Sequence, residues 1–141
     1  MRITRSVDSP RAIGDVFAYL SDFTTTTEWD PGTVLTTRLS GDGGLGTVYA
    51  NTSSFNGRQT ELVYTVTIFE PNERVQLQGQ NKTVHATDTI SFKALEHGTR
   101  VTYDAHFRFK GLAMLAQPFL GRAFRRLGDE AEAGMRQALA G

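Results

Sequence analysis

The stretch from Phe119 to Leu139 constrains the fold more than any other part of the sequence. At 100° per residue, its apolar side chains fall on one arc of a helix and its charged side chains on the opposite arc. The apolar arc contains Leu120, Ala123, Phe124, Leu127, Ala131, Met135 and Ala138. This pattern predicts one amphipathic helix, roughly 30 Å long at 1.5 Å per residue. Because the preceding chain is strand-like, we expect the apolar face of this helix to lie on a sheet.

The region from Val34 to Lys110 consists of short alternating runs separated by turn signals. These runs predict six strands, at approximately 33–39, 47–55, 59–69, 74–80, 84–94 and 100–109. Asn56-Gly57 is a strong signal for a two-residue hairpin between the second and third of them. Consecutive strands joined by such short links are expected to pair antiparallel.

A weak strand and a short helix precede this region. Ile3, Arg5 and Val7 alternate with polar residues, and Ser9-Pro10 then offers an N-cap followed by a proline at the first helical position. Pro118 predicts a break in any helix drawn through the residues before Phe119. The sequence therefore predicts one α+β domain over residues 1–141, with a seven-stranded antiparallel sheet, short helices after strand 1 and a long C-terminal helix.

The strand phases indicate which side chains face the helix. One face of the last strand carries Tyr103, Ala105 and Phe107, and the strands before it place Tyr64, Asp88 and Ile90 on the same side. Leu120, Phe124 and Leu127 face these residues from the helix. These nine residues are our candidates for the lining of a ligand-binding site. Alternation over 59–69 also places Ile68 on this inner face. Gly128 and Gly134, beside the helix's apolar arc, would allow a strand to approach closely or leave room for a guest.

Composition excludes several classes of function. Lys plus Arg equals Asp plus Glu at 15 each, so no net charge favours nucleic acid or an anionic membrane as a partner. The sequence has no cysteine, which excludes disulfides, thiolate nucleophiles and Cys-ligated metals. It also has no apolar run of signal-peptide or membrane-spanning length, so we expect a cytoplasmic protein without stable membrane insertion.

The residues for metal or nucleophilic chemistry are poorly placed. His85 and His106 fall on the polar phase of their strands and His97 falls in a turn, so we expect no metal site. No serine lies in a Gly-x-Ser-x-Gly elbow. We therefore expect neither a metal nor another cofactor.

Asp88 is the one anomaly in the interior pattern, since its phase places a carboxylate among Ala86, Ile90 and Phe92. A buried carboxylate needs a partner, a raised pKa or water. In the functional interpretation Asp88 is a general acid or base, or a polar anchor for a ligand hydroxyl, with Tyr64 and Tyr103 as hydrogen-bond donors. In the structural interpretation Asp88 lies at a wet mouth or bonds to local backbone.

The order of elements, with Ser9-Pro10 opening the first helix and a Trp29-x-Pro31 turn closing that region, resembles the helix-grip domain of the START-related (SRPBCC) superfamily. Glu70-Pro71 before a strand and Gly98-Thr99-Arg100-Val101 opening the last strand resemble its bacterial polyketide cyclase/dehydrase-like branch. The glycine-rich loop Gly41–Gly46 is similar to that of plant pollen allergens sharing this fold. The resemblance implies a curved sheet wrapped around the C-terminal helix, with a deep cavity for lipids, polyketides and other apolar molecules.

Three functions are compatible with the sequence. The first is a binding module for a lipid-like or aromatic polyketide-like molecule, with Gly41–Gly46 and the segment 111–118 as movable gates. The second is a cyclase or dehydratase, in which Asp88 and a tyrosine move protons. The third is a cavity-poor interaction domain, whose long helix or open sheet edge docks another chain. A homodimer is compatible with each of them.

Overall fold

A computed structural model describes residues 1–141, and its central feature is a curved antiparallel sheet of seven strands. The strands are β1 (Arg2–Ser9), β2 (Thr33–Ser40), β3 (Val48–Phe55), β4 (Arg58–Glu70), β5 (Arg74–Gln80), β6 (Val84–Leu95) and β7 (Gly98–Phe109). Their order across the sheet is β1-β7-β6-β5-β4-β3-β2, so β1 and β2 are the two edges. The predicted fold class and all seven strands are confirmed.

Three α-helices accompany the sheet: α1 (Ile13–Ser21), α2 (Thr26–Trp29) and α3 (Gly121–Ala138). A 3-10 turn, Phe23–Thr25, joins α1 to α2, and a 3-10 segment, Gly111–Phe119, joins β7 to α3. The helix predicted from Phe119 to Leu139 thus begins two residues later. The break expected at Pro118 is present, because the 3-10 segment ends at Phe119 and α3 starts after Leu120.

The sheet register brings the inward-facing residues of β6 and β7 side by side. Asp88 pairs with Ala105, and Ile90 pairs with Tyr103. The four residues predicted to face inward on β6 are all buried: Ala86, Asp88, Ile90 and Phe92. The phase predicted from alternation is therefore correct along β6.

Two glycines let α3 lie close to the rest of the molecule. A Cβ on Gly128 would lie 2.5 Å from the Ile3 methyl Cγ2 of β1. A Cβ on Gly134 would collide with the carbonyl oxygen of Trp29, at the end of α2. Of the two roles predicted for these glycines, close approach is observed at both positions, and Gly128 also lines the cavity between the sheet and α3.

Two local predictions are wrong. Ser9-Pro10 does not cap α1, which begins at Ile13; the Ser9 hydroxyl instead donates to the Leu139 carbonyl and accepts from the Arg11 N–H. The bond to Leu139 ties the two ends of the chain together. Alternation along β4 also predicts Ile68 on the inner face, but a register shift between Val66 and Ile68 changes the phase of this strand. Phe69 packs inward in its place, 5.3 Å from the ring of Phe17.

The 3-10 segment Gly111–Phe119 buries none of its residues. Leu112, Leu115 and Phe119 are 86%, 71% and 85% exposed. No helix of the structure combines the length and the apolar character needed to cross a bilayer.

Candidate functional site

A cavity of about 160 Å³ lies between the inner face of the sheet and α3. β6 and β7 supply its floor, α3 supplies its roof through Phe124, Leu127 and Ala131, and β3 and β4 supply one wall. The third function compatible with the sequence assumes a cavity-poor interior, and this cavity is evidence against that assumption. We call this space the inner chamber.

Asp88 and Tyr103 form a hydrogen-bonded pair in the inner chamber. The Tyr103 hydroxyl donates to Asp88 Oδ2 over 3.0 Å. Asp88 is only 4% exposed, and its other oxygen, Oδ1, has no hydrogen-bond partner. Neither structural interpretation of Asp88 holds, because the carboxyl is neither at a wet mouth nor bonded to local backbone.

The surroundings of Asp88 favour its neutral form. Burial raises the pKa of Asp88 to about 7, although the hydrogen bond from Tyr103 acts in the opposite direction. The nearby carboxylates Asp30 and Asp104 raise this pKa further. Burial, reinforced by Asp88, also holds the pKa values of Tyr64 and Tyr103 well above their ordinary range. A carboxyl that exchanges its proton near pH 7 can act as an acid, a base or a hydrogen-bonding anchor.

Seven of the nine candidate residues line the inner chamber: Tyr64, Asp88, Tyr103, Ala105, Phe107, Phe124 and Leu127. Ile90 does not, because it lies toward the end of β6 where α1 packs and where the rings of Phe17 and Phe92 are 5.0 Å apart. Leu120 does not, because the break before α3 leaves it half-exposed just ahead of the first helical turn.

Several residues of the chamber were not predicted from the sequence, chief among them Trp29. Its indole is 1% exposed, meets the Tyr103 ring edge-on at 5.7 Å, and donates from Nε1 to the Thr25 hydroxyl over 3.2 Å. Trp29 therefore packs in the interior and also lines the cavity. Phe23, Phe55 and Asn51 were missed as well. Asn51 lies on the same face of β3 as the buried Tyr49, but its polar side chain does not match an apolar pattern. Its side-chain amide donates to the Thr36 hydroxyl over 2.9 Å.

Other predicted features lie away from the chamber. Neither Gly41–Gly46 nor any residue of 111–118 lines it, so the two segments considered as gates do not border the chamber. His85, His97 and His106 do not line it either. No group of three or more His, Cys, Asp or Glu side chains is arranged to hold a metal ion.

A second, more open depression adjoins the inner chamber, and we call it the outer groove. It lies between the β3–β4 hairpin and the first turns of α3, and it shares Ser54, Phe55 and Leu127 with the chamber. The hairpin turn uses Asn56 and Gly57, both with positive φ, at the two positions where a type I′ turn requires it. Arg122, Arg126 and Glu130 give the groove a charged lining.

Comparison with known proteins identifies the family. Residues 1–140 match the profile of the family described as polyketide cyclase / dehydrase and lipid transport. No curated protein is similar enough in sequence to count as a match.

Solved structures share the fold at low sequence identity. The Zhui aromatase/cyclase from Streptomyces sp. R1128 is 13% identical with a TM-score of 0.82, and the match covers 99% of this chain and 93% of that one. TTHA0849 from Thermus thermophilus is 10% identical, also with a TM-score of 0.82, and the match covers 99% of this chain and 97% of that one. A START superfamily protein from Mycobacterium smegmatis is 15% identical with a TM-score of 0.74, and the match covers 97% of this chain and 98% of that one. These similarities support the fold, and the resemblance predicted from the sequence is confirmed.

Proposed function

Because this chain belongs to the polyketide cyclase / dehydrase and lipid transport family, we propose that it binds a small apolar molecule in the inner chamber. The residues proposed to contact the molecule are the predicted residues that line the chamber, together with Trp29. Most of them are apolar or aromatic, so transfer of an apolar guest from water into their midst is favourable.

The observation that carries this proposal is the chamber itself, a partly enclosed space of about 160 Å³ beneath α3. Apolar cavities of about 150 Å³ bind benzene. A guest with one aromatic ring therefore fits the chamber in its present shape. A longer molecule would extend into the outer groove, because the two spaces share Phe55 and Leu127.

Native mass spectrometry of the purified protein tests this proposal. We expect a co-purifying molecule, and we expect it to be lost in Ala131→Leu, which places extra bulk in the chamber from α3. Ala133→Leu is the matched control, because it makes the same change on the exposed side of the same helix. Equal occupancy of the two variants would contradict the proposal. So would a wild-type protein that carries no molecule and takes up no added aromatic hydrocarbon.

A second candidate function is a cyclase or dehydratase that encloses a polyketide and moves protons with Asp88 and Tyr103. It is favoured by one specific observation, the 3.0 Å hydrogen bond between the two side chains inside the chamber. An acid or base works best when its pKa is close to the working pH, and the pKa of Asp88 is raised to about 7. Turnover of a poly-β-ketone substrate that disappears in Asp88→Asn, while binding survives, would support catalysis. Unchanged turnover would exclude a role for this carboxyl.

A further inference from the structure

The inner chamber has a one-sided charge pattern. Among the residues that line it, Asp30 and Asp88 are acidic and none is lysine, arginine or histidine. Asp30 is already partly satisfied, because it accepts hydrogen bonds from the Gly32 N–H and the Thr33 hydroxyl over 3.1 and 3.0 Å. An anionic guest would therefore meet two carboxyl groups and no counter-charge, which low-dielectric surroundings make costly.

The nearby cations are engaged outside the chamber. Arg5 lies 3.1 Å from Asp129 and 3.7 Å from Glu132, two residues that do not line the chamber, and a Cβ on Gly128 would lie 3.0 Å from its guanidinium. Arg126 lines the outer groove and lies 3.6 Å from Glu130. Neither side chain lines the inner chamber, so neither balances the charge of Asp88 from within it.

Asp88 also has an unused hydrogen-bond acceptor. Tyr103 donates to Oδ2, whereas the buried Oδ1 has no partner. A buried acceptor without a donor is unfavourable, and a guest that supplies a donor removes that penalty. The rings of Trp29, Tyr64 and Tyr103 also line the chamber, and their π faces attract cations.

We propose that the molecule bound in the inner chamber is an amine carried on an apolar, aromatic body, with its nitrogen donating to Asp88 Oδ1, and that the chamber rejects carboxylates. This inference rests on the proposed binding function and specifies its ligand class. An ammonium group supplies both the missing donor and the missing positive charge. A hydroxyl supplies only the donor, so it is the weaker partner.

Four small probes of nearly equal shape test the proposal: 2-phenylethylamine, 2-phenylethanol, 3-phenylpropionate and ethylbenzene. Each is titrated into isotope-labelled protein at pH 7.5, and dissociation constants are taken from backbone and methyl chemical shifts. We expect the amine to bind at least ten-fold more tightly than the alcohol, and the carboxylate to bind least well.

Variants at Asp88 show whether this carboxyl is responsible. In Asp88→Asn the preference for the amine over the alcohol should fall to about two-fold or less, while ethylbenzene binds as before. Asp15→Asn is the control, because it removes the same charge from an exposed position on α1 and should keep the preference. Asp88→Leu, which replaces the carboxyl with an apolar side chain of similar size, should give the same result if Asp88→Asn folds poorly.

The outcomes separate this inference from the function on which it rests. If ethylbenzene binds but the alcohol or the carboxylate binds more tightly than the amine, the inference is overturned and the binding function stands. A preference for the amine that survives both Asp88 variants also overturns it. If none of the four probes binds, ethylbenzene included, the binding function itself fails and the inference fails with it.

Discussion

Replacing Asp88 with asparagine tests how strongly the fold opposes ionisation of this carboxyl. Asp88 is 4% exposed and has one donor, Tyr103, for its two oxygens. Burial raises its pKa from 3.8 to about 7. Asparagine has nearly the same shape and can still accept the Tyr103 hydrogen bond, but it carries no charge at any pH. The comparison therefore isolates the cost of the charge.

The sign and size of the effect follow from linkage between folding and proton binding. Because the pKa is higher in the folded state, the folded protein holds this proton more tightly than the unfolded chain does. Asp88 therefore lowers the free energy of unfolding as pH rises from about 4 to about 7, and the loss persists above pH 7. The interval between 3.8 and about 7, at about 1.4 kcal/mol per pH unit, corresponds to about 4 kcal/mol.

Urea denaturation of both proteins at pH 4, 5, 6, 7 and 8 measures this quantity. At each pH the wild-type free energy of unfolding is subtracted from that of D88N, so contributions from other titrating groups cancel. We expect the difference to increase by about 4 kcal/mol between pH 4 and pH 8 in favour of the variant. A difference that does not change with pH would refute the reasoning, because it would mean that Asp88 ionises as easily in the folded protein as in the unfolded chain.

Three further predictions concern the packing of α3 and the lining of the chamber. Gly134→Ala should destabilise the fold by about 1–3 kcal/mol in urea denaturation, because its methyl group would collide with the Trp29 carbonyl. The same change at Gly14, whose Cβ would meet nothing within 4 Å, should be neutral or stabilising by up to about 1 kcal/mol. Tyr103→Phe removes the hydrogen bond that lowers the pKa of Asp88, so the pH-dependent loss of stability should extend to higher pH when it is measured as above. Trp29 is the single tryptophan and lines the chamber, so its fluorescence should change when ethylbenzene is added, and A131L should abolish the change.

Much of the fold could be predicted because the sequence signals are local and repeated. Alternation over 84–94 and 100–109 placed Asp88 and Tyr103 on the inner face, and antiparallel pairing brought their strands together. The two failures have identifiable structural causes, one local and one long-range in sequence. A register shift in β4 turns Phe69, instead of Ile68, toward the interior. Ser9-Pro10 has the composition of a helix cap, but the Ser9 hydroxyl bonds to Leu139 at the C-terminal end of the chain.

The candidate site was less predictable, because alternation identifies the face of a strand but not what fills the space above it. Ile90 and Asp88 share a face, yet Ile90 is covered by packed core whereas Asp88 borders an open space. Trp29 reaches the chamber because α3 lies against its carbonyl at Gly134, more than a hundred residues away in the chain. A contact of that kind leaves no periodic signal in the sequence.

The central claim is that an apolar molecule occupies the space between the sheet and α3. Intermolecular nuclear Overhauser effects between the ring protons of bound ethylbenzene and protein methyl groups test it most directly. We predict contacts to the methyl groups of Leu62, Ala105 and Ala131, which line the inner chamber. Contacts confined to Leu112 and Leu115, in the exposed 3-10 segment, would place the guest on the surface and contradict the claim.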